Sequence, residues 1–149
     1  MARIGITTTV PVEIIFAAGH TPVDLNNVFI ASPDPARLAE AAEDAGYPRN
    51  ICGWIKGLYS VVVPRGDVAA VVAVTQGDCS NTHALMETYQ LAGVETIPFA
   101  YPYDRDYDLL KLQMEKLMLR LGTDWDEVNA VKQRLDKVRA KVAAIDRLT

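Results

Sequence analysis

Asp67-Val68-Ala69-Ala70-Val71-Val72-Ala73-Val74-Thr75 is an apolar run without alternation, and its reading decides the fold. A strand with one wet face alternates apolar and polar side chains. A continuous β-branched run instead requires cover on both faces, as in a central parallel strand. Gln76-Gly77-Asp78 follows as a turn, and Ser80 to Leu91 reads as a helix ended by Gly93. Val94-Glu95-Thr96-Ile97-Pro98-Phe99 then returns as the next strand. Strand, helix and strand in this order predict a right-handed βαβ unit.

Upstream, Asn50 is placed to cap a helix in which Ile51, Trp54, Ile55, Leu58 and Tyr59 form one apolar stripe. Asp34-Pro35 reads as a cap and first-turn proline, with Leu38, Ala41, Ala42 and Ala45 on one face and Gly46 as terminator. Thr21 to Leu25 and Asn27-Val28-Phe29-Ile30-Ala31 are expected as short strands, and Pro11-Val12-Glu13 as the opening of a helix closed by Gly19. Downstream the period becomes purely helical. Leu110, Met114, Leu117 and Leu121 step by four, three and four before Gly122. A helix restarts at Thr123, and Val131, Leu135, Val138, Val142 and Ile145 continue the same stepping. The expected fold is α/β, a small, mostly parallel Rossmann-like sheet flanked by helices, followed by a C-terminal α-helical hairpin. Residues 1–103 form the α/β part and 104–149 the hairpin, which either packs on its own domain or serves a dimer interface or partner subunit.

The chain has 149 residues, 50% of them hydrophobic, which is enough to bury a core without disulfide or metal staples. Its longest apolar run, Val68 to Val74, is far short of the ~20 residues that cross a bilayer, so no membrane span is expected. A net charge of -4 and a pI near 5.1 disfavour nucleic acid as a partner. Met1-Ala2-Arg3-Ile4-Gly5-Ile6 lacks the apolar segment of a secretory signal, so a cytoplasmic location is expected. In that reducing setting two cysteines read as free or metal-bound rather than bridged.

Those cysteines carry the chemistry. Cys52 and Cys79 lie 27 residues apart, and both fall at expected helix starts. There the unpaired backbone N–H groups and the helix dipole favour a thiolate, the form that ligates metals. Cys79 also follows the carboxyl end of the most buried strand, where open α/β sheets place ligands. A cysteine that merely fills a core remains the alternative. His83, four residues after Cys79, could join Cys52 and Cys79 in a zinc site or act as base for a nucleophilic Cys79. Ser80 and Asn81 could donate hydrogen bonds to a bound anion or cluster sulfur, or simply cap the helix. Glu13 could act as an acid or base, or only balance a helix dipole. Lys56 could meet a phosphate or a partner acid, or lie on a solvated face. Neither Gly-x-Gly-x-x-Gly, nor the P-loop pattern, nor Gly-x-Ser-x-Gly occurs, which disfavours nicotinamide, P-loop nucleotide and serine-hydrolase chemistry.

Three segments together resemble a known family. They are Pro11-Val12-Glu13-Ile14-Ile15-Phe16-Ala17-Ala18-Gly19-His20-Thr21-Pro22-Val23, Cys52-Gly53-Trp54-Ile55-Lys56 and Gly77-Asp78-Cys79-Ser80-Asn81. Their order is similar to the amino-terminal half of 2-hydroxyacyl-CoA dehydratase subunits, the 2-hydroxyglutaryl-CoA dehydratase D-component type that includes benzoyl-CoA reductase subunits. The resemblance implies that Cys52 and Cys79 ligate a [4Fe-4S] cluster together with a third cysteine from the carboxyl-terminal half. This chain contains two cysteines. It further implies a lyase that removes water from a 2-hydroxyacyl-CoA through a ketyl radical, after one-electron delivery by an ATP-dependent activator. A homodimer pooling four thiolates, or a separate partner subunit, would complete the ligand set. The expected function is therefore an iron-sulfur subunit serving an acyl-CoA substrate. The alternatives are a metal-free binding or assembly module, and a zinc- or thiol-dependent protein using Cys52, Cys79 and His83.

Overall fold

Val71, Val72, Ala73 and Val74 are fully buried, as a strand covered on both faces requires. The computed structural model describes residues 1–147. The strands are β1 (Arg3–Ile6), β2 (Thr21–Asp24), β3 (Ala70–Gln76) and β4 (Thr96–Ala100). They form one all-parallel sheet in the order β2-β1-β3-β4. The helices are α1 (Val12–Ala17), α2 (Leu25–Ile30), α3 (Pro35–Asp44), α4 (Gly53–Val62), α5 (Asn81–Leu91), α6 (Tyr107–Leu121) and α7 (Trp125–Asp146). On one face Ile4, Ile6, Val72, Val74 and Phe99 join Ile14 and Ile15 of α1, Leu117 and Met118 of α6 and Val128 of α7. On the other, Val71 joins α2, α4 and α5 through Leu25, Phe29, Ile55, Leu58, Val61, Leu85 and Tyr89. The βαβ unit β3-α5-β4 is as expected, and the α/β architecture with it.

Four details differ from the sequence expectation. β1 was not anticipated, yet it is central: four residues with two isoleucines give little pattern, and Gly5 lets the Leu25 side chain approach the strand closely. Asn27 to Ile30 is helical rather than extended, with Ala31 as the C-cap, because Asp24 caps the segment by accepting a hydrogen bond from the Asn26 N–H at 2.9 Å. Leu25 and Phe29 then share a buried face at the four-residue helical spacing. Asn50 does not cap α4. It lies in a turn, with the Ile51 N–H donating to the Pro48 carbonyl at 3.1 Å, and Cys52 takes the N-cap position. Finally, the helix after Gly122 is capped by Asp124, in a capping box with Glu127, rather than started by Thr123.

The two C-terminal helices belong to the same core as the sheet, since α6 lies on β4 and α1 while α7 lies on α1. α4 is covered on nearly all sides. Its Gly57 faces the Phe29 ring so closely that a Cβ would stand 2.3 Å from a ring carbon. Lys56, expected on a solvated face, is 5% exposed; its ammonium donates to Glu43 of α3 at 2.5 Å and to the Arg49 carbonyl at 3.2 Å.

Candidate functional site

Parallel strands end together on one edge, and the connections leaving β1 and β3 decide where that edge opens. β1 passes to α1 on one face and β3 passes to α5 on the other, so the loops diverge between these two neighbouring strands. Such a divergence is the ligand crevice of an open α/β sheet. Thr7 closes the ladder beneath it: its N–H donates to the Val72 carbonyl at 3.2 Å, and its Oγ1 accepts from the Val74 N–H at 3.1 Å.

Cys79 lies in the loop from β3 to α5, on the rim of this crevice, and is exposed. The preceding Gly77 has φ +87, and a Cβ there would also collide with the Tyr101 side chain at 2.7 Å. Glycine is thus required twice over. The Cys79 carbonyl accepts from the Thr82 N–H at 2.9 Å, while the Ser80 side chain makes no capping hydrogen bond. Asn81 and the exposed His83 occupy the first turn of the same helix.

Cys52 is the exposed N-cap residue of α4, and its side chain makes no capping bond either. A relay ties this helix start to the end of β1: the Trp54 indole N–H donates to Asn26 Oδ1, and the Asn26 amide donates to the Thr7 carbonyl at 2.9 Å. Trp54 is held from below by an edge-on contact with Phe29, ring centroids 5.5 Å apart. α4 and α5 lie side by side, joined by the Tyr89 hydroxyl, which donates to the Leu58 carbonyl at 2.7 Å. Burial, with a smaller contribution from Tyr47, raises the Tyr89 pKa far above its ordinary value. Two neighbouring helices therefore present uncapped amino ends at the sheet's carboxyl edge, each headed by an exposed thiol. Both sulfurs are thus accessible from the same edge of the sheet.

The remaining sequence candidates are distributed differently. Glu13, in the first turn of α1, receives Arg139 of α7 at 2.6 Å, and Arg139 also bridges Asp136 at 3.0 Å. Hydrogen bonds from Lys132 and Arg139 hold the Asp136 carboxyl below the usual carboxylate range. Among the described residues no three His, Cys, Asp or Glu side chains are placed to hold one metal ion. The zinc trio of Cys52, Cys79 and His83 is therefore not assembled. Two thiols suit the donor chemistry of an iron-sulfur centre, but they do not make a complete ligand set within the chain.

One wall of the edge escaped the sequence reading. A cavity of about 370 Å³ opens beyond β3 and β4, lined by Gln76, Gly77, Tyr101, Pro102, Tyr103, Arg105, Asp106 and Leu110. Burial raises the Tyr101 pKa, and its hydroxyl donates to the Thr9 carbonyl at 2.8 Å, tying the two loops together. Arg105 adopts a left-handed φ of 58, uncommon for a residue with a side chain. The signal was the aromatic and charged run Tyr101-Pro102-Tyr103-Asp104-Arg105 directly after a strand.

A comparison of the chain with curated proteins gives no match. The sequence profile described as 2-hydroxyglutaryl-CoA dehydratase, D-component, matches residues 7–149, nearly the whole chain and both cysteine-headed helices. The chain belongs to the 2-hydroxyglutaryl-CoA dehydratase D-component family.

Proposed function

We propose that this chain is a dehydratase-related subunit in which Cys52 and Cys79 supply two thiolates to a [4Fe-4S] cluster at the carboxyl edge of the sheet. A second copy or a partner subunit would supply the remaining ligands. One observation supports the reading above all: both cysteines are exposed at uncapped starts of adjacent helices on the same edge. A bound cluster would supply one-electron transfer to an acyl-CoA substrate, the chemistry of dehydration in this family. The protein's own contribution is positioning. Gly77 turns the chain so that Cys79 reaches the rim, and the Trp54-Asn26-Thr7 relay fixes the start of α4. Ser80 at the N-cap of α5, with Asn81 and His83 in its first turn, would donate hydrogen bonds toward cluster sulfurs or a thioester carbonyl. Glu13 stands in the first turn of α1, where its ion pair with Arg139 holds α7 to α1. A cytoplasmic setting would keep both thiols reduced.

The test is anaerobic purification of the chain, alone and with a candidate partner subunit, followed by iron and acid-labile sulfide determination. Bound iron and sulfide in matching amounts are expected in the assembled form. Colourless, iron-free protein in both preparations would leave only a metal-free binding or assembly module.

A further inference from the structure

The outer face of α5 carries Ala84, Thr88 and Leu91, four and three residues apart, while Leu85 and Tyr89 of the same helix are buried in the core. The connection from α3 to α4 passes beside that face. Gly46, at φ +111, ends α3, and the Tyr47 N–H donates to the Ala42 carbonyl at 3.0 Å, which fixes where the Tyr47 side chain begins. A cavity of about 460 Å³ lies between the two, walled by Tyr47, Ile51 and Tyr59 and by the α5 face. Small-molecule sites are of this size, and about 150 Å³ already holds a benzene ring. The rings are fixed from the core outward: Tyr59 stacks on Tyr89 with centroids 6.5 Å apart, and Tyr47 meets Tyr59 at 5.0 Å with the planes at 55°. Among the described residues no charged side chain lines the cavity.

The polar groups of the wall have a fixed direction. The Thr88 hydroxyl donates its single hydrogen to the Leu85 carbonyl at 2.8 Å. It therefore accepts from the Tyr47 hydroxyl, whose hydrogen is spent in turn. What this pair still offers is lone pairs. Burial raises the Tyr47 pKa, so the ring stays an uncharged phenol. The Tyr59 hydroxyl has no protein partner among the described residues and is open to water, so it makes no demand on a ligand. We propose that the cavity binds a small neutral aromatic molecule carrying an O–H or N–H donor, such as a phenol. The ligand ring takes the tilted contacts with Tyr47 and Tyr59 that aromatic pairs prefer, and its donor meets the unused lone pairs. A carboxylate would bring a charge with no counter-charge, and an ether would set lone pairs against lone pairs. Ile51 adjoins Cys52 in the chain, but neither cysteine lines the cavity, so the inference stands apart from any cluster.

Binding is measured by calorimetry on the iron-free chain with three probes of one shape: 4-ethylphenol, 4-ethylanisole and 4-ethylbenzoate. The phenol should bind at least roughly fivefold more tightly than the ether, and the carboxylate should not bind. Ala84→Phe, which fills the cavity from an exposed helix position, should abolish binding while helical content by circular dichroism stays unchanged. Thr88→Val removes the acceptor of the Tyr47 hydrogen and frees that hydrogen for the ligand, so the preference for phenol over ether should shrink to about twofold or less. Equal affinity for phenol and ether in the unaltered chain, tighter binding of the carboxylate, binding of none of the three, or full phenol affinity in Ala84→Phe overturns the proposal. A phenol preference untouched by Thr88→Val also overturns it, because the donor would then be read by another group.

Discussion

Glu43→Ala is expected to cost about 3 kcal/mol of unfolding free energy, while Lys56→Met at the other end of the same ion pair changes it by less than about 1 kcal/mol. The asymmetry follows from burial. Lys56 sits inside α4 with its side chain 6% exposed, and its ammonium is met by the Glu43 carboxylate and one carbonyl, that of Arg49. Removing the carboxylate strands a charge out of reach of water. Removing the charge and keeping the volume leaves Glu43, one-quarter exposed, with Arg49 nearby at 3.5 Å. For a chain of this length the Glu43 change corresponds to a melting temperature lower by roughly 6–12 °C. Added salt should leave the difference nearly intact, because a buried pair is screened little. Thermal melts of the two variants check it; equal losses from both would mean that the ammonium reaches solvent.

The second large effect concerns iron. Cys52→Ser and Cys79→Ser should each remove nearly all bound iron from the assembled protein, whereas His83→Ala should retain it. Neither cysteine change should move stability by more than about 0.5 kcal/mol, because both side chains are exposed and neither caps its helix. That separation distinguishes ligands from structural residues: a cysteine that served only as filler would lose stability and leave iron alone. Iron and sulfide determinations beside melting curves provide both readouts. Full iron content in either cysteine variant would place ligation elsewhere.

How far the sequence carries depends on how local each cause is. The continuous apolar run around Val71 announces a doubly covered strand because burial on both faces leaves no position for a polar side chain. Arg3–Ile6 announces nothing comparable, being half as long and made a strand by neighbours that pair with it from distant parts of the chain. Val28-Phe29-Ile30 has strand-like composition, but the cap at Asp24 and the spacing of Leu25 and Phe29 prevail. Lys56 reads as a surface cation until α3 brings Glu43 against it, thirteen residues upstream on another helix. The spacing of Cys52 and Cys79 is uninformative by itself. Only the order β2-β1-β3-β4, which puts α4 and α5 on one face with their amino ends at one edge, relates the two thiols.

That relation can be measured without iron, substrate or partner. Treating the reduced monomeric chain with a short bis-thiol reagent that fluoresces only when both of its arms have reacted tests whether Cys52 and Cys79 share one crevice. The account predicts rapid intramolecular bridging, with peptide mapping joining the Cys52 and Cys79 fragments, and no signal in either serine variant. Quick single alkylation of both thiols with no bridge formed would contradict it.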